Sequence, residues 1–137
     1  MQSYDLILTT LFLCLPLLLF VNKTNPPLVE VGLSILLSFN IVLSLLFWSN
    51  PIEHSECHVY DALLAKLSYL LFTTYILCIK QISIFLKLLF ASILLVAFTL
   101  FYHGHVHSRE NWCSSPHLFY HSIFHFCSGI GCSFAFM

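Results

Sequence analysis

Residues 116–132 read PHLFYHSIFHFCSGIGC, which places a histidine at every fourth position of an otherwise apolar segment. On an α-helix this spacing puts His117, His121 and His125 on one face. Ser115 is a good N-cap and the proline after it suits the first turn, so we expect the helix to begin just before His117. Each interval of four residues descends roughly 6 Å along the axis. Ionisable side chains several ångströms inside a membrane cost free energy, and by default they mark a functional site.

The composition is that of an integral membrane protein. Of the 137 residues, 59% are hydrophobic and 8% are charged, against about a quarter charged in a typical soluble chain. The net charge of −1 and the lack of any Lys/Arg cluster argue against nucleic acid as a partner and leave membrane lipids. The six cysteines include no CxxC pair and do not resemble a disulfide scaffold. The first apolar run has Asp5 where a signal peptide is basic, so we expect it to be a retained helix.

The apolar runs predict one transmembrane domain over residues 1–137, an all-α polytopic helix bundle. Five spans fit, at about residues 4–21, 28–48, 58–79, 82–102 and 116–137, each close to the ~20 residues that a bilayer requires. A four-span alternative lays the last segment in the interface, because its polar stripe lowers its hydropathy. Only two residues separate the third and fourth spans, which predicts a tight helical hairpin. Pro16 is expected to kink the first span, and Trp48 suits an aromatic interfacial belt.

The parity of five spans brings the loops before spans three and five to one face of the membrane. All eight histidines lie in or beside those two loops: His54, His58, His103, His105, His107, His117, His121 and His125. The opposite face has Lys23, Lys80 and Lys87. The positive-inside rule then predicts that the lysine face is cytoplasmic and that the N-terminus and the histidine face are outside or lumenal.

A candidate metal site combines the last span with the start of the third. His58 and Asp61 are three residues apart and share a helix face, and a carboxylate buried there needs a partner. If the third and fifth spans pack together, His58, His121 and His125 converge near Asp61. Three nitrogen ligands and a water would make the open zinc site typical of catalysis. Structural hydrogen bonding between helices is the alternative for His121 and His125, and the alternate ligands are His54 and His117.

Two cysteines accompany this constellation. Cys57 and Cys113 belong to the same membrane face by the parity above. They would pair if that face is oxidising, and otherwise they are free interfacial thiols. The sequence does not decide between the two states.

The segment His121-Ser-Ile-Phe-His125-Phe-Cys-Ser-Gly-Ile-Gly resembles the last helix of the CREST superfamily, which includes the alkaline ceramidases and the progestin and adiponectin receptors. The resemblance implies that His121 and His125 are zinc ligands, that His58 or His54 is the third ligand, and that Asp61 is the acidic partner. That family has seven spans, whereas five fit here. The family's serine, four residues before its third histidine, corresponds to Asn50 if that histidine is His54.

The leading functional hypothesis is therefore a zinc-dependent, ceramidase-like membrane hydrolase of a lipid amide or ester. Zinc would polarise the carbonyl, and Asp61 would accept or orient the proton of the attacking water. The second hypothesis is a non-enzymatic scaffold or receptor-like protein with structural histidines or zinc. The third is a haem or metal-transport protein with facing histidines. The sequence indicates no particular substrate, organelle or oligomeric state.

Overall fold

The computed structural model describes residues 3–137 of the chain as a bundle of helices. The elements are α1 (Ser3–Leu11), α2 (Cys14–Val21), α3 (Leu28–Ser49), α4 (Glu56–Thr74), a π-helical segment (Tyr75–Ile79) that continues α4, α5 (Ile84–Glu110) and α6 (Ser115–Ser133). Four stretches are long and apolar enough to cross a membrane: Tyr4–Val21, Leu28–Ser49, Glu56–Ile79 and Ile84–Glu110. The chain is thus an all-α integral membrane protein, as its composition indicates.

Helix α6 is not among those four stretches, yet it runs the length of the bundle. Its 19 residues span about 28 Å at 1.5 Å per residue, close to the ~30 Å hydrocarbon core. At one end Leu118 packs with Trp48, and beyond the other end the carbonyl of Ala135 accepts a hydrogen bond of 2.7 Å from Lys80 Nζ. The helix packs against α5, α1 and α2. Its polar stripe is therefore covered by protein rather than by lipid.

The first apolar stretch is broken rather than merely kinked. Helix α1 ends at Leu11 and α2 begins at Cys14, so the two residues of the break lie three and four positions before Pro16. A proline lacks the N–H that would bond the carbonyl four residues earlier, and its ring clashes with that carbonyl. The carbonyl in question belongs to Phe12, which accepts instead from Leu15 N at 3.1 Å. The break therefore lies where Pro16 removes the helical bond.

Two expectations about the fourth span are wrong. Helix α5 continues through His103, His105 and His107 to Glu110, so these histidines are helical and not in a loop. The tight hairpin is also missing, because α4 packs mainly on α3 and α5 packs mainly on α6. Tyr69 bridges the two helices, since its hydroxyl donates to the carbonyl of Leu94 at 3.1 Å.

The loops at residues 50–55 and 111–114 meet at one end of the bundle, which we call the histidine end. The indole Nε1 of Trp112 donates to the carbonyl of Pro51 at 2.9 Å, which joins the two loops directly. Beneath them lies a small apolar core made of Leu6, Phe47, Trp48 and Leu118. Trp48 is only 1% exposed, so its ring is covered by protein and does not face lipid as a residue of an aromatic belt would. It faces neighbouring helices because it lies on the side of α3 that α1 and α6 cover.

The opposite end carries the loops at residues 22–27 and 80–83, and we call it the lysine end. A buried carboxylate, Glu30, lies there at 1% exposure. It accepts hydrogen bonds from Lys23 at 2.6 Å, from Lys80 at 2.9 Å and from the Tyr75 hydroxyl at 2.8 Å. These bonds connect the loop after α2 to α3 and to the end of α4.

Candidate functional site

The three histidines of α6 form a continuous stripe, which we call the histidine stripe (His117, His121 and His125). The ring centroids of His117 and His121 are 5.9 Å apart, and those of His121 and His125 are 4.8 Å apart. Both pairs are nearly perpendicular, at 88° and 78°. The N-cap of the helix is Ser114, one residue before Ser115, which we predicted for that position. The spacing in the sequence therefore places the three rings on one face, as expected.

His125 is the deepest member of the stripe and is tied to α1. Its Nδ1 lies 3.1 Å from the Thr9 hydroxyl and 3.3 Å from the Thr10 hydroxyl. Both hydroxyls donate their single hydrogen to the carbonyl of Leu6, at 3.2 and 2.7 Å. The Nδ1 atom must then be the donor to the threonine oxygens, which assigns the proton to Nδ1 and leaves a lone pair on Nε2.

His121 is held by aromatic rings. Its ring lies edge-on to Trp48 at 4.9 Å and is 5.8 Å from Phe124. The indole Nε1 of Trp48 is buried and has no hydrogen-bond partner within residues 3–137. An unpaired buried donor costs about 1–3 kcal/mol, so the Trp48 indole that contacts His121 lowers the stability of this region.

His117 closes the loop that precedes α6. It is 3% exposed, so the neighbouring residues cover it. Its Nδ1 accepts from the backbone N–H of Cys113 at 3.2 Å, and the backbone φ of Cys113 is 57°. Burial raises the pKa of the Cys113 thiol. Cys57 packs against the same apolar core, and both cysteines are free thiols.

His58 lies near the stripe but is separated from it. Its Nδ1 accepts from the backbone N–H of His54 at 3.0 Å, and its ring stacks on Phe47 at 4.9 Å with the planes 10° apart. The Trp112 ring lies 5.0 Å from His58 and 5.0 Å from His117. An indole therefore occupies the space through which His58 would reach α6.

Asp61 does not join the histidines either. Its carboxylate lies next to Ser44 of α3, and Ser44 is 5% exposed. His54, the alternate ligand, is exposed and has a φ of 62°. Within residues 3–137, no group of three or more His, Cys, Asp or Glu side chains is arranged to hold a metal ion. Zinc needs nitrogen ligands at about 2.0–2.1 Å. The structure brings His121 and His125 together and places the alternate ligand His117 beside His121, whereas the predicted third ligand His58 lies against Trp112, outside the stripe.

A second histidine pair lies between α5 and α6. The rings of His103 and His107 stack on Tyr120 at 5.3 and 5.5 Å, and His107 Nδ1 is 3.2 Å from a carboxylate oxygen of Glu110. The i, i+4 spacing of these histidines could have predicted the pair, because residues four apart are neighbours on a helix, but only if the segment is helical. Because we expected a loop there, the pair went unrecognised.

Comparison with known proteins gives no family. No protein-family model matches the chain. Neither a curated protein nor a solved structure matches it.

Proposed function

We propose that this protein is a non-enzymatic membrane scaffold in which the histidine stripe fastens α6 to its neighbours. The observation that supports the proposal most directly is the contact of His125 Nδ1 with Thr9 and Thr10. This contact uses the side of the imidazole that faces α1. His117 also has a partner, because its Nδ1 accepts the backbone N–H of Cys113 in the loop before α6. Two of the three imidazoles thus have structural partners.

The free energy expected for these polar contacts is consistent with a role in holding α6 against its neighbours. Polar contacts between membrane helices contribute about 0.6 kcal/mol on average and up to about 1.7 kcal/mol. Burying an imidazole without a partner would cost more than such a bond contributes, because the polar group has no water to replace the lost bond. The threonines therefore make a histidine at 4% exposure tolerable and fix the orientation of its ring.

The second candidate is the ceramidase-like, zinc-dependent hydrolase of a lipid amide or ester. It is favoured by the 4.8 Å separation of the His121 and His125 rings and by the resemblance of this segment to the CREST superfamily. The free lone pair on His125 Nε2 suits a ligand whose other nitrogen is held by a polar partner. With His58 as the third ligand, Trp112 would have to leave its present position first, whereas the alternate ligand His117 already lies beside His121.

Metal analysis of the purified protein separates the two candidates. The comparison is zinc per chain in wild type, in His121→Ala and in His105→Ala, where His105 is an exposed control on α5. The scaffold predicts trace zinc that neither substitution changes, and no hydrolysis of fluorescent ceramides or esters. Stoichiometric zinc lost only in His121→Ala, together with hydrolysis, would overturn the scaffold in favour of the enzyme.

Asp61→Asn gives an independent comparison. In the scaffold Asp61 is a buried charge beside Ser44 with no catalytic role, so removing the charge should leave stability unchanged or raise it. In the hydrolase the same substitution should leave zinc bound and abolish turnover. Thermal unfolding in detergent and ceramide hydrolysis are measured on the same preparation. A loss of turnover without a loss of zinc contradicts the scaffold.

A further inference from the structure

The lysine end of the bundle differs in formal charge from the rest of the chain. The lysine end contains Lys23, Lys80 and Lys87. Of the six acidic residues in the sequence, Glu30 lies at this end, so the formal charge there is 3 − 1 = +2. The rest of the chain has Lys66 and Arg109 against five acids, a formal charge of 2 − 5 = −3. The sum is the net charge of −1. The lysine end thus has an excess of positive charge that its own carboxylate does not neutralise.

Of the two lysines that bond Glu30, Lys23 is the more accessible. Lys23 is 27% exposed although it bonds Glu30, whereas Lys80 is 8% exposed. The ammonium of Lys80 already donates to Glu30 and to the carbonyl of Ala135. An ammonium has three donors, so Lys23, with its one bond to Glu30, keeps two for a ligand.

An apolar groove of about 380 Å³ adjoins this charged cluster. It lies between α3 and the continuation of α4, and its lining consists of Val29, Gly32, Leu33, Leu36, Leu71, Thr74, Tyr75 and Ile79. A Cβ added at Gly32 would meet nothing within 4 Å, so glycine leaves the wall of the groove open. Tyr75 belongs to both features, because its ring lines the groove and its hydroxyl donates to Glu30.

The π-helical segment is what joins the groove to the lysines. Its widened turn is closed by a bond of 2.7 Å from Lys80 N to the carbonyl of Tyr75, five residues earlier. The extra residue turns both Tyr75 and Lys80 towards Glu30, and Lys80 Nζ lies 5.7 Å from the centre of the Tyr75 ring. π-Helical turns are rare and are frequently found at functional sites.

We propose that this end binds an anionic phospholipid, with an acyl chain in the groove and the phosphate on Lys23. Anionic headgroups at the membrane surface attract basic residues, and Glu30 offsets only one of the three lysines at this end. A second copy of the chain in the groove, in the same membrane orientation, would bring another lysine end beside the first. Like charges brought together are unfavourable, so charge complementarity favours the lipid.

The test uses the full chain in detergent, with dioleoylphosphatidylglycerol and dioleoylphosphatidylcholine as probes, and native mass spectrometry to measure bound lipid. Wild type should retain the anionic lipid at least tenfold better than the neutral one. Gly32→Leu should lose both lipids because it fills the groove, while Ser38→Leu, an exposed site on α3 outside the groove lining, should bind as wild type does. Lys23→Gln should lose the preference for the anionic lipid while retaining the neutral one.

Thermal unfolding of each variant without lipid checks that the fold is intact. Gly32→Leu is expected to fold, because leucine favours a helix more than glycine does and the position is open. Equal retention of the two lipids by wild type, or unchanged binding in Gly32→Leu, would overturn the proposal. A variant that changes from dimer to monomer while keeping its lipid would also overturn it, since the groove would then hold a second copy.

Discussion

Replacing Glu30 by glutamine is the sharpest perturbation of the fold. Glu30 is 1% exposed and accepts from Lys23, Lys80 and Tyr75. Glutamine keeps the shape but leaves Lys80, at 8% exposure, as a buried cation without its counter-charge. Breaking a buried pair in this way costs about 3–5 kcal/mol. We therefore expect Glu30→Gln to lower the free energy of unfolding by about that amount.

The assay is reversible unfolding by SDS in mixed micelles, with Lys23→Gln as the control. Lys23 is 27% exposed, and an ion pair of that exposure contributes about 0–1 kcal/mol. Burial lowers the pKa of Lys80, and its bond to Glu30 opposes that effect. Without Glu30 the folded state binds fewer protons at Lys80 than the unfolded state, so the variant gains stability as pH rises. A loss in Glu30→Gln no larger than that in Lys23→Gln, or a loss that grows with pH, would refute the reasoning.

Two further predictions concern packing and topology. Gly129→Ala should lower the free energy of unfolding by about 1–3 kcal/mol. The added Cβ would lie 2.9 Å from the ring of Phe12 and 3.1 Å from the backbone carbonyl of the same residue. Gly131→Ala is the control and should leave the free energy of unfolding unchanged in the same assay, because the nearest atom to its added Cβ is 3.7 Å away. In a cysteine-free background, single cysteines replacing Glu53 and Arg109 should react alike with an impermeant maleimide on sealed vesicles, and opposite reactivity would contradict the shared histidine end.

The helical architecture and the histidine stripe were predictable because both follow from spacing within one segment. A period of four residues fixes which side chains share a helix face, and the rings of His121 and His125 do lie together. Spacing does not say which neighbour that face meets. The expected convergence with Asp61 required α4 beside α6, whereas α6 packs on α5, α1 and α2. The carboxylate lies beside Ser44 of α3 instead.

The Glu30 cluster could not be predicted for a related reason. Its partners Tyr75 and Lys80 are 45 and 50 residues away in the chain, and no local pattern connects them. The π-helical turn that orients them has no recognisable sequence signature here. Trp48 shows the same limit. An aromatic residue at the end of a span predicts a lipid-facing belt position, whereas its contacts with α1 and α6 are visible only in the structure.

The central claim is that His125 fastens α6 to α1, and a double-mutant cycle tests it most directly. The cycle compares His125→Leu, the pair Thr9→Val with Thr10→Val, and all three together, using unfolding free energies in mixed micelles. We predict a coupling energy of about 0.6–1.7 kcal/mol, the range for polar contacts between membrane helices. Thr99→Val is the control, because that hydroxyl bonds only its own helix at Leu95 and should be additive with His125→Leu. Additivity within about 0.3 kcal/mol for the threonine pair as well would contradict the claim.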